Sequence, residues 1–429
     1  MRRVVLALAT LVVATCPTRA SAQSISSCST ASQNRYVYDV MRDLYYWNTA
    51  LPTVNAASYR SPEALLDALR YRPLDERFSY IGSRASEDAF YSDSQFVGFG
   101  YGSAYDGRGL RILQVFPDSP AAEAGLQRGD RIVSIGGQSV VALVQANALS
   151  TALGSSQEGF ALSIRYERMD GTPVDAQMVS RAVTIPTVSY LHAYEVDGRT
   201  VGYLFFRNFV QPSRAALDEA FAALRDVGAT ELVLDLRYNG GGLVSIAQHL
   251  ASLIGGSRTD GQVFAEYFHN QRNAYRNEIT RFEAPPAALR LERLVAITTR
   301  SSASASELVI NALRPFIPVT TVGDASYGKP VGQYGVTFCD KVLYPVAFTL
   351  RNADGQGDFF DGIPADCTAA DDVDRQIGDV REASLAEALH VIAHGKCSAS
   401  PLSAAGRKRA ATRVDVVPRQ GLEQIIGAH

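Results

Sequence analysis

Apolar positions recur at three- and four-residue spacing near the start of the chain, where Tyr36, Val37, Val40, Leu44 and Trp47 share one side. That period predicts a helix over 32–48. A second helix is expected after Ser61-Pro62, with serine as its cap, proline in its first turn and Leu65, Leu66 and Leu69 on its buried face. From 110 to 116 the pattern alternates like a strand. Ser119-Pro120 then opens a short helix that Gly125 closes. A strand over 131–135 runs into a Gly136-Gly137 turn, a helix is expected over 139–153, and Asp170-Gly171 marks a hairpin. Beyond residue 200 the pattern changes. Strand-like runs at 201–206, 231–236, 294–298 and 318–322 are separated by helical stretches at 213–227, 245–254 and just after 304, with a last helix at 384–393. Strands alternating with helices predict an α/β core with a mostly parallel sheet. The fold class expected is thus α/β and multi-domain, with a helical N-terminal part, a β-rich middle and the α/β core.

Composition narrows the class. The chain has 429 residues, enough for two or three domains, with 46% hydrophobic and 20% charged residues. A formal net charge of −3 speaks against nucleic acid as a partner. Arg2-Arg3, the short apolar run 4–14 and the small residues Ala20-Ser21-Ala22 read as a secretory leader over 1–22. The run is too short for a comfortable transmembrane helix, so no stable membrane span is expected in the mature chain. Removing the leader takes Cys16 and leaves Cys28, Cys339, Cys367 and Cys397. Four cysteines in an exported chain suit two disulfides, with three connectivities open. The expected pairs are Cys339–Cys367, closing a local segment, and Cys28–Cys397, tying the N-terminal region to the end of the core. Past Cys397 the composition turns to Ser, Ala, Arg and Pro, so 398–429 is expected as a flexible or loosely docked tail.

The chemistry concentrates between Arg300 and Tyr334. Ser301–Ser306 pack hydroxyls and small side chains at the start of the helical pattern carried by Leu308, Val309, Ala312 and Leu313. A helix N-terminus offers free N–H groups and the positive end of the dipole, which suits a developing oxyanion. Lys329 lies in a Gly-rich turn after a strand-like run, and Gln333 follows four residues later. A second Gly-rich turn, Asn239-Gly-Gly-Gly242, follows the 231–236 run. In an open sheet, sites form beyond the strand C-terminal ends, where both turns fall.

The Ser-Ala-Ser-Ala-Ser-Glu run ending at Glu307, followed by Gly-Lys-x-x-x-Gln ending at Gln333, resembles the catalytic core of the tail-specific, or C-terminal-processing, serine proteases. The resemblance implies Ser304 as nucleophile, Lys329 as general base and Gln333 as the residue orienting the lysine. Asp-Leu-Arg-x-Asn-Gly-Gly-Gly resembles the same family and implies an oxyanion hole from Gly240 or Gly241 together with Ala305. Pro330 departs from the glycine usual after the lysine. Residues 96–186 resemble a PDZ domain, a module that adds an extended chain end to a sheet edge. This implies Val97, Gly98, Phe99 and Gly100 as peptide-binding residues. The divisions expected are 23–85 helical, 90–186 PDZ-like and 187–397 protease core.

The resemblance implies an exported endopeptidase, periplasmic or secreted, that takes protein or peptide substrates with free C-termini and needs no cofactor and no metal. A homo-oligomer is compatible with it. Two other readings compete. One is a binding scaffold without activity. The other is a Ser-His-Asp triad using His192, His249, His269, His390 or His394, none of which lies in a recognisable turn. His390 and His394 could also pair on a metal, but no third ligand is in view.

Overall fold

The computed structural model describes residues 25, 27–154, 157–398, 419 and 421–429. The expected leader lies outside these residues. At the centre is a six-stranded sheet in the order Val188–Val196, Arg199–Phe206, Glu231–Asp235, Leu294–Thr298, Val319–Gly323, Cys367–Thr368. The first pair is antiparallel and every later pair is parallel. The strand Glu231–Asp235 is buried along its whole length, as expected of a parallel strand covered on both faces. Alternation divides its side chains. Leu232 and Leu234 pack with Leu217, Phe221, Leu250 and Val309 from the helices Ser213–Asp226, Val244–Gly255 and Ala305–Leu313. Val233 faces the other way, against Leu385, Ala388 and Val391 of the helix Ala383–His394. The expected α/β core is therefore a three-layer sandwich. A four-stranded antiparallel sheet and a three-stranded one, Tyr80–Ser83 with Lys341–Tyr344 and Val336–Phe338, extend it on the side of the candidate site.

The β-rich middle has its own core around Tyr101, Ile112, Ile132, Leu143 and Tyr166. The single helix expected over 139–153 is instead two, Val140–Gln145 and Leu149–Leu153, broken where Asn147 takes φ +52°. An asparagine tolerates that left-handed conformation better than most residues, which is why the apolar period alone missed the break. The N-terminal helix runs Thr30–Leu44, capped by the Ser29 side chain. Pro62–Leu69 starts where Ser61-Pro62 predicted. The helix Arg84–Asp93 was not expected, because only Glu87 and Phe90 are buried on it.

The disulfide expectation is corrected. Cys28 pairs with Cys339 and Cys367 with Cys397. The reason is topological: Cys339 lies in the turn between Val336–Phe338 and Lys341–Tyr344, which packs on the N-terminal helices. Cys367 lies on the last core strand, near the end of the final helix. The end of the chain differs too. Gly421–His429 is packed rather than loose, with Ile425 and Ile426 buried among Phe90, Phe116, Val183 and Ile185. Among the described residues no helix is long and apolar enough to cross a membrane.

Candidate active site

Three strand ends converge on one cleft. The glycine turn follows Glu231–Asp235, the serine cluster follows Leu294–Thr298, and the lysine turn follows Val319–Gly323. Hydrogen bonds fasten the first turn to the second: Ala303 N–H donates to Asn239 O at 3.0 Å, and Ser306 Oγ donates to the same carbonyl at 3.0 Å. Ser302 Oγ donates to Leu236 O at 2.8 Å. The neighbouring serines therefore anchor the cluster. Ser304 sits at φ +55°, a conformation serine rarely adopts, at the N-cap of Ala305–Leu313. Such strain persists where surrounding structure over-determines it, as at functional turns.

Glu307 joins the Ser304 turn to the lysine turn. Its buried carboxylate accepts Ser304 N–H at 2.8 Å, Gly328 N–H at 2.7 Å, Lys329 N–H at 2.8 Å and Ser326 Oγ–H at 2.5 Å. Burial raises its pKa while these four donors oppose the rise. Nothing in the residues around this glutamate marks the bridge, because its partners come from a turn some twenty residues on.

Lys329 Nζ donates to Gln333 Oε1 at 2.6 Å. Gln333 cannot flip, because its Nε2 donates to Phe78 O at 2.7 Å and Tyr344 O at 2.9 Å. Those two carbonyls demand the NH2 end and leave the amide oxygen for the lysine. Phe78 is held in turn by Asp75, whose carboxylate takes Phe78 N–H and Ser79 N–H. The amine end of Lys329 is enclosed, and burial lowers its pKa to about 8. The negative charges of Asp75, Glu307 and Glu87 resist that drop without reversing it. A buried lysine near 8 is a base available at mildly alkaline pH.

Ser304, Ala305, Lys329, Gln333 and Gly240 line one cavity of about 410 Å³. No histidine lines it. His249 instead bonds Asp218 and lies beside Arg214, and His269 bonds Tyr334 Oη. His390 and His394 lie against each other, ring centroids 4.3 Å apart and tilted by 57°. Of the two candidate glycines, Gly241 gives its N–H to Asn239 Oδ1 at 2.9 Å and lies against Ser304. Among the described residues, Gly240 N–H and Ala305 N–H have no hydrogen-bond partner. Glu87, also lining the cavity, was not foreseen. Burial raises its pKa to about 7.

Asp235 and Arg237, the polar pair of the Asp-Leu-Arg run, form a fully buried ion pair at 2.8 Å that continues to Glu382. Arg128, from the β-rich middle, reaches Asp371 at 2.8 Å beside it. The motif thus ties that middle region to the core.

In the candidate peptide-binding loop, the N–H groups of Phe99, Gly100 and Tyr101 all point at one carbonyl, that of His429. Gly98 lies against the same residue. Val97 does not reach it by hydrogen bond. It pairs with Ala182 in a two-stranded ribbon. Tyr101, at the start of the strand Tyr101–Tyr105, joins the candidate loop residues here, and nothing about its type marked it in the sequence.

Models of known families match three stretches. Residues 32–80 match the peptidase S41 N-terminal domain, 111–158 a PDZ domain and 200–368 peptidase family S41. Residues 200–368 thus form a peptidase family S41 domain, with that family's N-terminal domain and a PDZ domain ahead of it in the chain. It is 28% identical over 284 residues to a carboxy-terminal-processing protease of Bartonella bacilliformis, covering 63% of this chain and 62% of the relative. It is 28% identical over 250 residues to a carboxy-terminal processing protease of Bacillus subtilis, covering 58% and 50%. The chain thus aligns with about half to three fifths of the length of these relatives. Among solved structures, an S41 protease of Bacteroides fragilis superposes with a TM-score of 0.69 at 25% identity, over 83% of this chain and 96% of that one.

Proposed function

We propose that this protein is an exported serine endopeptidase that captures the ends of protein or peptide chains in its PDZ groove and cleaves them with a Ser304–Lys329 dyad. The observation that carries the reading is Lys329: its amine is enclosed and lowered toward neutrality, and an amide that cannot flip holds it in the cavity that Ser304 lines. A surface lysine would need none of this.

The step follows from that arrangement. Neutral Lys329 Nζ takes the Ser304 hydroxyl proton as Oγ attacks the peptide carbonyl carbon. The carbonyl oxygen becomes an oxyanion, for which the N–H groups of Gly240 and Ala305, without partners among the described residues, are the candidate donors. The C–N bond breaks, and the Lys329 ammonium returns its proton to the leaving amine. Water then hydrolyses the acyl ester, with the same lysine as base. Gln333 positions the amine. Export follows from the leader-like residues 1–22 and the two disulfides. The divisions 23–85, 90–186 and 187–397 serve as N-terminal support, PDZ module and catalytic core.

The test is cleavage of a reduced, unfolded model protein with an apolar C-terminus, comparing wild type with Ser304→Ala and Lys329→Ala. Both variants should lose at least 1000-fold while keeping cooperative thermal unfolding. Cleavage that survives Lys329→Ala would replace the dyad with another base. Peptide binding with no cleavage by the wild type would favour the scaffold reading.

A further inference from the structure

The PDZ groove is already filled, and by this chain. Phe99 N–H, Gly100 N–H and Tyr101 N–H converge on His429 O at 3.0, 2.7 and 3.3 Å, and His429 N–H donates back to Tyr101 O at 2.8 Å. That is one rung of a strand addition, made by the loop that reads peptide ends. Ahead of it, Leu422–Ile426 form a helical turn whose Ile425 and Ile426 are buried, at 7% and 6% exposure. Gly427 closes that turn at φ +61°. The turn lies on the candidate oxyanion glycine: a Cβ added to Gly240 would stand 2.6 Å from Ile425 Cα. Ile425 also lines the cavity that holds Ser304.

A buried arginine fastens the segment. Arg207 is 1% exposed and has no carboxylate partner among the described residues. Its guanidinium donates to Ile426 O in the segment, Tyr238 O beside the glycine turn, and Gln114 Oε1 in the PDZ strand. One cation with neutral acceptors thus joins the segment, the core and the PDZ module. Burying a guanidinium without an acid is costly, and the Ile426 carbonyl meets part of that cost.

We infer that Gly421–His429 is a built-in ligand that occupies the peptide groove and lies over the candidate oxyanion glycine, so that an incoming chain end must displace it. Only His429 meets the loop amides, while Ile425 and Ile426 pack beside it against Phe90, Phe116, Val183 and Ile185, so the groove takes an extended segment with apolar residues packed ahead of it. Occupancy of the groove rests on hydrogen bonds and burial. The consequence for cleavage rests on the peptidase reading above.

The probe is a fluorescein-labelled synthetic peptide of residues 419–429, titrated in the Ser304→Ala background. Three proteins are compared: the full chain, the chain lacking 419–429, and the full chain with Ile425→Asp and Ile426→Asp. Against a tethered competitor at an effective concentration on the order of 1 mM and a groove Kd on the order of 10 μM, the open forms should bind about 100-fold tighter. In proteins with Ser304 intact, opening the groove should raise cleavage at least about fivefold. Tighter binding with no cleavage by any form would leave the built-in ligand standing and remove the peptidase reading. Equal binding by all three proteins overturns the inference, whatever the cleavage. Hydrogen exchange on the intact protein guards against a truncated chain that misfolds. The Phe99, Gly100 and Tyr101 amides should exchange at least about tenfold more slowly than exposed loop amides, and exchange at the exposed-loop rate overturns the inference too.

Discussion

Lys329 shows how one residue trades stability for chemistry. Its ordinary pKa is 10.5, and burial lowers it to about 8 in the folded chain. Between those values the unfolded chain binds more protons, so this residue's contribution to stability rises with pH through that window. Below 8 the folded state carries the full cost of enclosing an ammonium. Lys329→Met should therefore unfold at higher denaturant concentration than wild type at pH 7. The gain is on the order of 1–2 kcal/mol, after allowing for the lost bond to Gln333. The gap should close as pH rises from about 8 to 10.5. A variant less stable than wild type at pH 7 would show that the ammonium is well solvated. The residue types of Ser304, Lys329 and Gln333 were legible from the serine run and the Gly-Lys-x-x-x-Gln turn. Their support was not. Phe78 O and Tyr344 O, which orient Gln333, are backbone groups 255 and 11 residues away in sequence, and backbone groups leave no sequence mark.

At the scale of elements, the site depends on turns held in register across the sheet. The strands that deliver them were readable from their apolar runs, because a buried parallel strand shows one. The bridge between turns was harder to see. Glu307 reads as an ordinary first-turn acid until the fold brings Gly328 and Lys329 against it. Glu307→Gln keeps the shape but puts an NH2 where two or more donors converge. The expected cost is about 2–4 kcal/mol of stability, with a loss of cleavage larger than the loss of peptide binding. Glu307→Asp should do no better, since it shortens the reach by a methylene. A Glu307→Gln protein with wild-type unfolding and wild-type cleavage would show that the bridge is incidental. The split helix at Asn147 and the helix Arg84–Asp93 were illegible for opposite reasons. The first has an apolar period that runs through a break, and the second has too few buried positions to show one.

On the scale of the whole molecule, long-range pairing is what the sequence withheld. Four cysteines past the leader-like residues suited two disulfides, but three pairings were open, and choosing among them requires knowing which loop meets which helix. The observed Cys28–Cys339 link joins positions 311 residues apart and closes the N-terminal helices onto the hairpin whose Tyr344 holds Gln333. The N-terminal helices thereby support the proposed dyad, which a description of them as a separate small element would miss. The terminal segment makes the same point. Its composition read as loose, yet Ile425, Ile426 and His429 find partners on the helix Arg84–Asp93, the PDZ loop and Arg207. Those partners come from three distant parts of the chain.

The central claim is that a neutral, enclosed Lys329 activates Ser304. It is tested most directly by labelling Ser304 with a fluorophosphonate across pH 6 to 10, with the modified residue located by mass spectrometry. The labelling rate of wild type should rise with pH along a single ionisation near 8, and Lys329→Ala should be slower by at least about 1000-fold at every pH. A rate that turns over near the ordinary histidine range, or that is unchanged in Lys329→Ala, would contradict the account.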